Sequence, residues 1–188
     1  MHKLFCIMGR TSSGKTSMTK AVAKELGLKV VQSYTTRPKR KGETKANSDH
    51  IFIKEEDVAQ YKDDIVAYTE INGYKYFTTT EQLYKNDAYV IDPNGYYFLR
   101  DNLEKMRTKG QEEIELIPVY ITVSKDKALE RAKDRGDDVQ AFEQRYMAED
   151  AQFRAFERSD DIRFRVLNHG TFEEGCAKLK GIFERYNG

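Results

Sequence analysis

Leu4-Phe5-Cys6-Ile7-Met8-Gly9-Arg10-Thr11-Ser12-Ser13-Gly14-Lys15-Thr16 is the stretch that decides the fold. Its first five residues are an apolar run that predicts a buried strand. Gly9 to Thr16 then fits G-x-x-x-x-G-K-[ST]. From Lys15 to Leu26, Met18, Val22, Ala23 and Leu26 fall at helical spacing. Strand, loop and helix in that order turn the pattern into a phosphate-binding loop. The glycines let Gly9, Arg10, Thr11, Ser12, Ser13 and Gly14 curl with their N–H groups inward, and the helix N-terminus adds a favourable dipole. Lys15 is expected to reach the β- and γ-phosphates, and the Thr16 hydroxyl to ligate Mg²⁺. The chain is thus expected to bind a nucleoside triphosphate with Mg²⁺.

Outward from this stretch, short apolar runs alternate with helical ones. Leu28–Val31, Tyr89–Ile91, Ile117–Val123 and Phe164–Leu167 read as further strands, and a last helix starts near Thr171. Asp92-Pro93-Asn94-Gly95 stops the third strand. This order predicts an α/β fold: a three-layer P-loop domain, its parallel sheet flanked by helices on both faces. Two regions break the rhythm. Residues 34 to about 80 hold short β-like runs (His50–Ile53, Ile65–Tyr68, Tyr74–Thr78) and read as a small antiparallel insertion. Residues 125–160 are helical and highly charged, and read as an exposed, mobile segment outside the core; ordinary solvated surface helices are the alternative.

The chain has 188 residues with 32 Lys plus Arg against 31 Asp plus Glu, so bulk electrostatic capture of duplex DNA is not expected. Its 12 Tyr and 10 Phe argue against wholesale disorder. No apolar run approaches the ~20 residues of a bilayer span, and residues 1–8 do not read as a signal-peptide core. Cys6 and Cys176, at opposite ends of the chain, read as reduced thiols in a cytoplasmic protein. Nothing in the sequence marks an interface, and a homo-oligomer stays open.

The next feature is Ser33-Tyr34-Thr35-Thr36-Arg37-Pro38-Lys39-Arg40-Lys41-Gly42-Glu43. Following the second strand, it belongs at the carboxyl edge of the sheet beside the phosphate loop. Arg37 and Arg40 are fork-shaped donors suited to a phosphate, although solvated basic loops are also common. With the phosphate loop, this S-x-T-T-R-x-x-R-x-G-E pattern and the late arginines (Arg131, Arg135-Gly136, Arg145, then a strand ending in Asn168), the chain resembles the guanylate kinase family along nearly its whole length.

The resemblance implies transfer of the γ-phosphoryl group of ATP to GMP, giving ADP and GDP. It implies three parts: a core (1–32, 81–124, 161–188), a monophosphate-binding subdomain (33–80) and a helical lid (125–160). It also implies roles. Arg37, Arg40 and Tyr76 hold the acceptor phosphate. Ser33 and Thr78 lie near the base, and Asp92, the acid ending the third core strand, counts among the residues binding the monophosphate substrate, with service to the metal, the base or both left open. Arg131, Arg135 and Arg145 close over the ATP phosphates, and Asn168 lines the adenine pocket. Helix-surface ion pairs are the alternative for the lid arginines.

Three departures concern the acceptor. His50 stands where the family has a phosphate-binding tyrosine, and can still donate to phosphate. Ala67 stands where the family's guanine-selecting glutamate is expected, with Glu70 a substitute only if the loop shifts register. Val90 stands where the family often has a first aspartate before Asp92. Besides GMP, another (deoxy)nucleoside monophosphate therefore stays open. So does a binding module without turnover, although Lys15, Thr16, Arg37, Arg40 and Arg145 are all retained. A hydrolase or switch protein would leave the Arg37–Arg40 loop unexplained.

Overall fold

The computed structural model describes residues 1–40, 42–44, 48–107 and 113–187; Lys41 of the basic loop lies outside them. Strand β1 (His2–Met8) is the middle of the molecule. In the order β6-β1-β7-β8 it lies parallel to β6 (Ala88–Val90) and β7 (Ile114–Thr122), and β8 (Phe164–Leu167) adds parallel to β7. Because side chains alternate along a strand, Leu4, Cys6 and Met8 enter one apolar cluster, and Phe5 and Ile7 enter another on the opposite face. A strand buried on both faces needs the continuous apolar run seen in the sequence.

Helix α1 (Lys15–Leu26) starts at Gly14 and buries Met18, Thr19, Val22 and Ala23. It packs with α6 (Phe172–Asn187), where Phe183 stacks on Phe5 at 4.2 Å between ring centroids. On the other face lie α3 (Pro93–Arg107) and part of α5 (Val139–Glu157).

A second sheet, ordered β3-β2-β5-β4, comprises β2 (Ser33–Thr35), β3 (His50–Phe52), β4 (Ile65–Ile71) and β5 (Tyr74–Thr79). The β4–β5 hairpin turns on Asn72 and Gly73, both at positive φ (52° and 76°), which a two-residue hairpin loop requires. Short α2 (Thr80–Tyr84) leads back to β6.

Three expectations change. Leu28–Val31 does not form a full strand. Val30 makes one parallel bridge to Ala88, and by Ser33 the chain has already entered the second sheet. The insertion is mixed rather than antiparallel, because the basic loop carries the chain back so that β3 pairs parallel with β2. The charged helical block is not wholly outside the core. Helix α4 (Lys125–Asp134) and the start of α5 share only a small cluster of Ala128, Ala132 and Phe142, but Phe153 and Phe156 of α5 are buried in the main core. Among the described residues, no helix is long and apolar enough to cross a membrane.

Candidate active site

The loop between β1 and α1 has a shape that its glycines require. A Cβ on Gly9 would stand 2.6 Å from Ser13 Oγ and 2.7 Å from the Ile121 carbonyl oxygen. Gly14 has φ +84°, and a Cβ there would lie 2.9 Å from the Asn168 amide nitrogen. Behind the loop, Asn168 Nδ2 donates to the Ser13 carbonyl at 2.8 Å. Asn168 is buried and committed to bracing the loop, so its side chain is not an adenine contact in this arrangement. Its backbone oxygen accepts from Arg131 Nη2 at 3.0 Å. Arg131 Nη1 is buried without a hydrogen-bond partner among the described residues, 3.9 Å from where a Cβ on Gly14 would stand, and therefore lies against the loop.

Lys15 is enclosed, with Nζ donating to the Arg10 carbonyl at 3.3 Å. Burial pushes its pKa down, countered by the carboxylates of Glu149 and Asp92. Arg135 donates to Ser12 Oγ at 2.8 Å and to Asp137 at 2.5 Å. The left-handed Gly136 (φ +78°) turns the chain between α4 and α5 just after it. Thr11, Arg40, Arg135 and Arg145 help line a cleft of ≈ 370 Å³ between the phosphate loop, the basic loop and the α4–α5 segment. Arg40 is pushed down by burial and then by Arg37 and Arg145, a crowding of cations that an anion would relieve.

In the basic loop, Arg37 is buried and held bidentately by Glu43, at 2.7 Å for each bond. Glu43 also accepts from the Arg40 N–H (2.9 Å) and the Ser48 hydroxyl (2.8 Å). Arg37, before burial or any other influence, holds the Glu43 carboxyl well below the usual carboxylate range. The Arg37 guanidinium rests 5.1 Å from the Phe52 ring centroid and has a buried, unpartnered Nε. Ser33 Oγ pairs with His50 Nδ1 at 2.9 Å, and the His50 ring meets Tyr76 edge-on at 5.3 Å. Arg37, Arg40, Ser33, His50 and Tyr76 thus gather at one end of the second sheet.

Thr78 is different. It is fully buried and donates to the Tyr89 hydroxyl at 2.7 Å, so its hydroxyl is already engaged within the protein. Asp92 accepts from the Gly95 N–H at 2.8 Å, and burial raises its pKa. Ala67 is buried opposite Thr78, and Glu70 is exposed opposite Lys75 beside the hairpin tip. The pairing shifts register between Ile65 and Ala67 but runs without a break from Ala67 to Ile71, so Glu70 is not carried to the place of Ala67.

Two side chains escaped the sequence reading. Glu43 was visible as part of a pattern but not as the clamp on Arg37. Glu149 accepts the Thr11 N–H at 2.7 Å, placing a carboxylate directly on the phosphate loop. No sequence spacing signals that contact. The Arg10 side chain turns away from the cradle towards α5, so only its backbone serves the loop.

The guanylate kinase family model matches residues 1–186. The chain belongs to the guanylate kinase family. The guanylate kinase of Fusobacterium nucleatum subsp. nucleatum is 25% identical over 189 residues, covering 96% of this chain and 95% of that protein. The guanylate kinase structure from Anaplasma phagocytophilum superposes with a TM-score of 0.65 at 18% identity, covering 96% of this chain and 85% of that one, a likeness of fold. Family membership makes this a nucleotide-binding P-loop protein of a kinase family that uses ATP as co-substrate.

Proposed function

We propose that this chain transfers the γ-phosphoryl group of ATP to a nucleoside monophosphate, with GMP the acceptor that family membership names first. The observation that carries the reading is the convergence of cations on one cleft. Arg40, Arg135 and Arg145 line it. Arg135 and Arg145 act electrostatically on Lys15, and Arg37 and Arg145 on Arg40. In this reading Lys15, Arg135 and Arg145 serve the donor, and Arg37 and Arg40 the acceptor. Two polyanions must meet for this reaction, and the transfer needs positioning and charge stabilisation more than covalent help. An acceptor phosphate oxygen attacks the γ-phosphorus, the bond to the β-bridging oxygen breaks, and ADP leaves. In this scheme Arg37, Arg40, His50 and Tyr76 orient the attacking phosphate, while Lys15, Arg131, Arg135 and Arg145 stabilise charge on the transferring group.

The residues fit a Mg²⁺ held largely by substrate. Thr16 offers a hydroxyl beside Lys15, and among the described residues no group of three or more His, Cys, Asp or Glu forms a protein cage. When bound, the metal supplies charge neutralisation at the β- and γ-oxygens. Cys6 and Cys176 as free thiols fit a cytoplasmic location.

A second reading concerns the base. Ala67 is buried and Glu70 exposed, so no carboxylate stands at the position of the family's guanine-selecting glutamate. A site that loses a polar partner loses discrimination, which favours another (deoxy)nucleoside monophosphate as an additional acceptor. The retained cations argue against a binding module without turnover. A coupled ADP-release assay with ATP, Mg²⁺ and GMP, dGMP, AMP, CMP, UMP or dTMP separates these readings, with Lys15→Ala as the blank. Acceptor-dependent ADP release that disappears in the blank supports the kinase. ATP binding without release on any acceptor refutes it.

A further inference from the structure

The second residue of the phosphate loop carries a side chain that the scheme above leaves unused. Arg10 is 8% exposed. Its Nε and Nη2 donate to the two carboxylate oxygens of Glu157 at 3.1 and 3.4 Å, and Nη1 donates to Asp150 at 3.0 Å. Its guanidinium lies 5.2 Å from the Tyr146 ring centroid and 5.5 Å from that of Phe153. Residues 146, 150, 153 and 157 recur at helical spacing, so Arg10 grips one face of α5. Glu157 is itself fixed by the Tyr120 hydroxyl of β7 at 2.5 Å. The same stretch of helix sends Glu149 to the Thr11 N–H. Arg145, adjacent to Tyr146 in sequence, acts electrostatically on both Lys15 and Arg40.

We infer that Arg10 is a positioning residue for phosphoryl transfer: it docks α5 on the phosphate loop and thereby sets where Arg145 stands against the donor phosphates. The inference rests on the kinase reading. The backbone of Arg10 belongs to the loop that cradles the donor, while its side chain holds the helix carrying Arg145. One residue thus ties the two together. The planar fork matches the Glu157 carboxylate and stacks between two rings, neither of which a lysine ammonium reproduces. A buried ion pair contributes little net stability against its hydrophobic replacement, so geometry is the reason offered for this one.

The test is steady-state kinetics of Arg10→Lys, Glu157→Gln and their double variant, with ATP and the acceptor used best, alongside thermal melting. A displacement of ~1 Å in a charge-stabilising group costs up to about 100-fold. Arg10→Lys is therefore expected to lower kcat about 10- to 100-fold, with KM for ATP within about threefold. The double variant is expected to be no slower than Arg10→Lys alone, because both changes break one contact. Asp150→Asn provides the same readout should Arg10→Lys fail to fold. The inference is overturned by an unchanged kcat, by a rise in KM for ATP with kcat intact, or by a kcat loss matched by loss of folded protein in both Arg10→Lys and Asp150→Asn. If the unaltered protein transfers phosphate to no monophosphate, the kinase reading fails and takes the inference with it. If the protein is active and Arg10→Lys is equally active, the inference alone fails.

Discussion

At the scale of single residues, Glu43 holds the basic loop together. It closes a bidentate pair with Arg37 and caps the Arg40 N–H in the same loop. Removing one partner of a buried pair leaves an uncompensated charge, at a cost of about 3–5 kcal/mol. Glu43→Ala is therefore expected to raise KM for the acceptor more than about tenfold while leaving KM for ATP near its original value. Initial-rate kinetics with each substrate varied in turn checks this.

His50 gives a pH signature. Burial, and then Arg37, pushes it from 6.5 down to about 4. The folded protein keeps the ring neutral where the unfolded chain would protonate it. Its contribution is therefore present above pH 6.5 and is lost as pH falls towards 4. Thermal melting between pH 7 and pH 4.5 is expected to fall less steeply in His50→Gln than in the unaltered protein.

Glu149 occupies an N–H of the phosphate loop, so in the proposed reaction an incoming triphosphate meets a carboxylate there. Glu149→Gln removes that repulsion and is expected to tighten ATP binding about three- to tenfold. Calorimetric titration without acceptor reads the change, and a weaker affinity would contradict it.

At the scale of elements, the lid helices depend on their caps. Ser124 accepts the Lys127 N–H at 3.3 Å to start α4, and Asp138 accepts the Ala141 N–H at 2.8 Å to start α5. Losing such a cap costs about 1 kcal/mol. Asp138→Ala is expected to increase amide exchange in the first turns of α5 and to leave Phe153 and Phe156, held in the core, as protected as before.

These elements also show what the sequence could and could not reveal. The apolar run before Gly9 and the helical spacing after it located β1, the phosphate loop and α1 correctly, because each is dictated locally. Leu28–Val31 has strand character, but the chain leaves for the second sheet within two residues, a tertiary decision that local propensity does not record. The charge of 125–160 masked Phe153 and Phe156, whose burial depends on Tyr96 and Tyr120 from distant parts of the chain. At the site, the phosphate-loop pattern and the resemblance assigned Lys15, Arg37, Arg40, Arg135 and Arg145 to nucleotide phosphates; of these, Arg40, Arg135 and Arg145 line one cleft. The sequence could not tell that Thr78 and Asn168 are engaged internally, or that Arg10 faces α5, because those contacts join residues 11 to 155 positions apart.

At the scale of the whole molecule, two sheets and a helical block bring Arg40, Arg135 and Arg145 to one cleft. In the proposed reaction the β1–α1 loop serves the donor and the basic loop after β2 the acceptor. Helices α4 and α5, the latter anchored partly in the core, supply the arginines between them. The central claim is that this cleft moves a phosphoryl group from one nucleotide to another. Phosphorus NMR of the protein with ATP, Mg²⁺ and a nucleoside monophosphate, GMP first, follows every product at once. The account predicts ADP and the nucleoside diphosphate appearing in equal amounts, with neither formed by Lys15→Ala. Inorganic phosphate formed in place of the diphosphate would contradict it, as would a spectrum in which ATP persists unchanged with every acceptor.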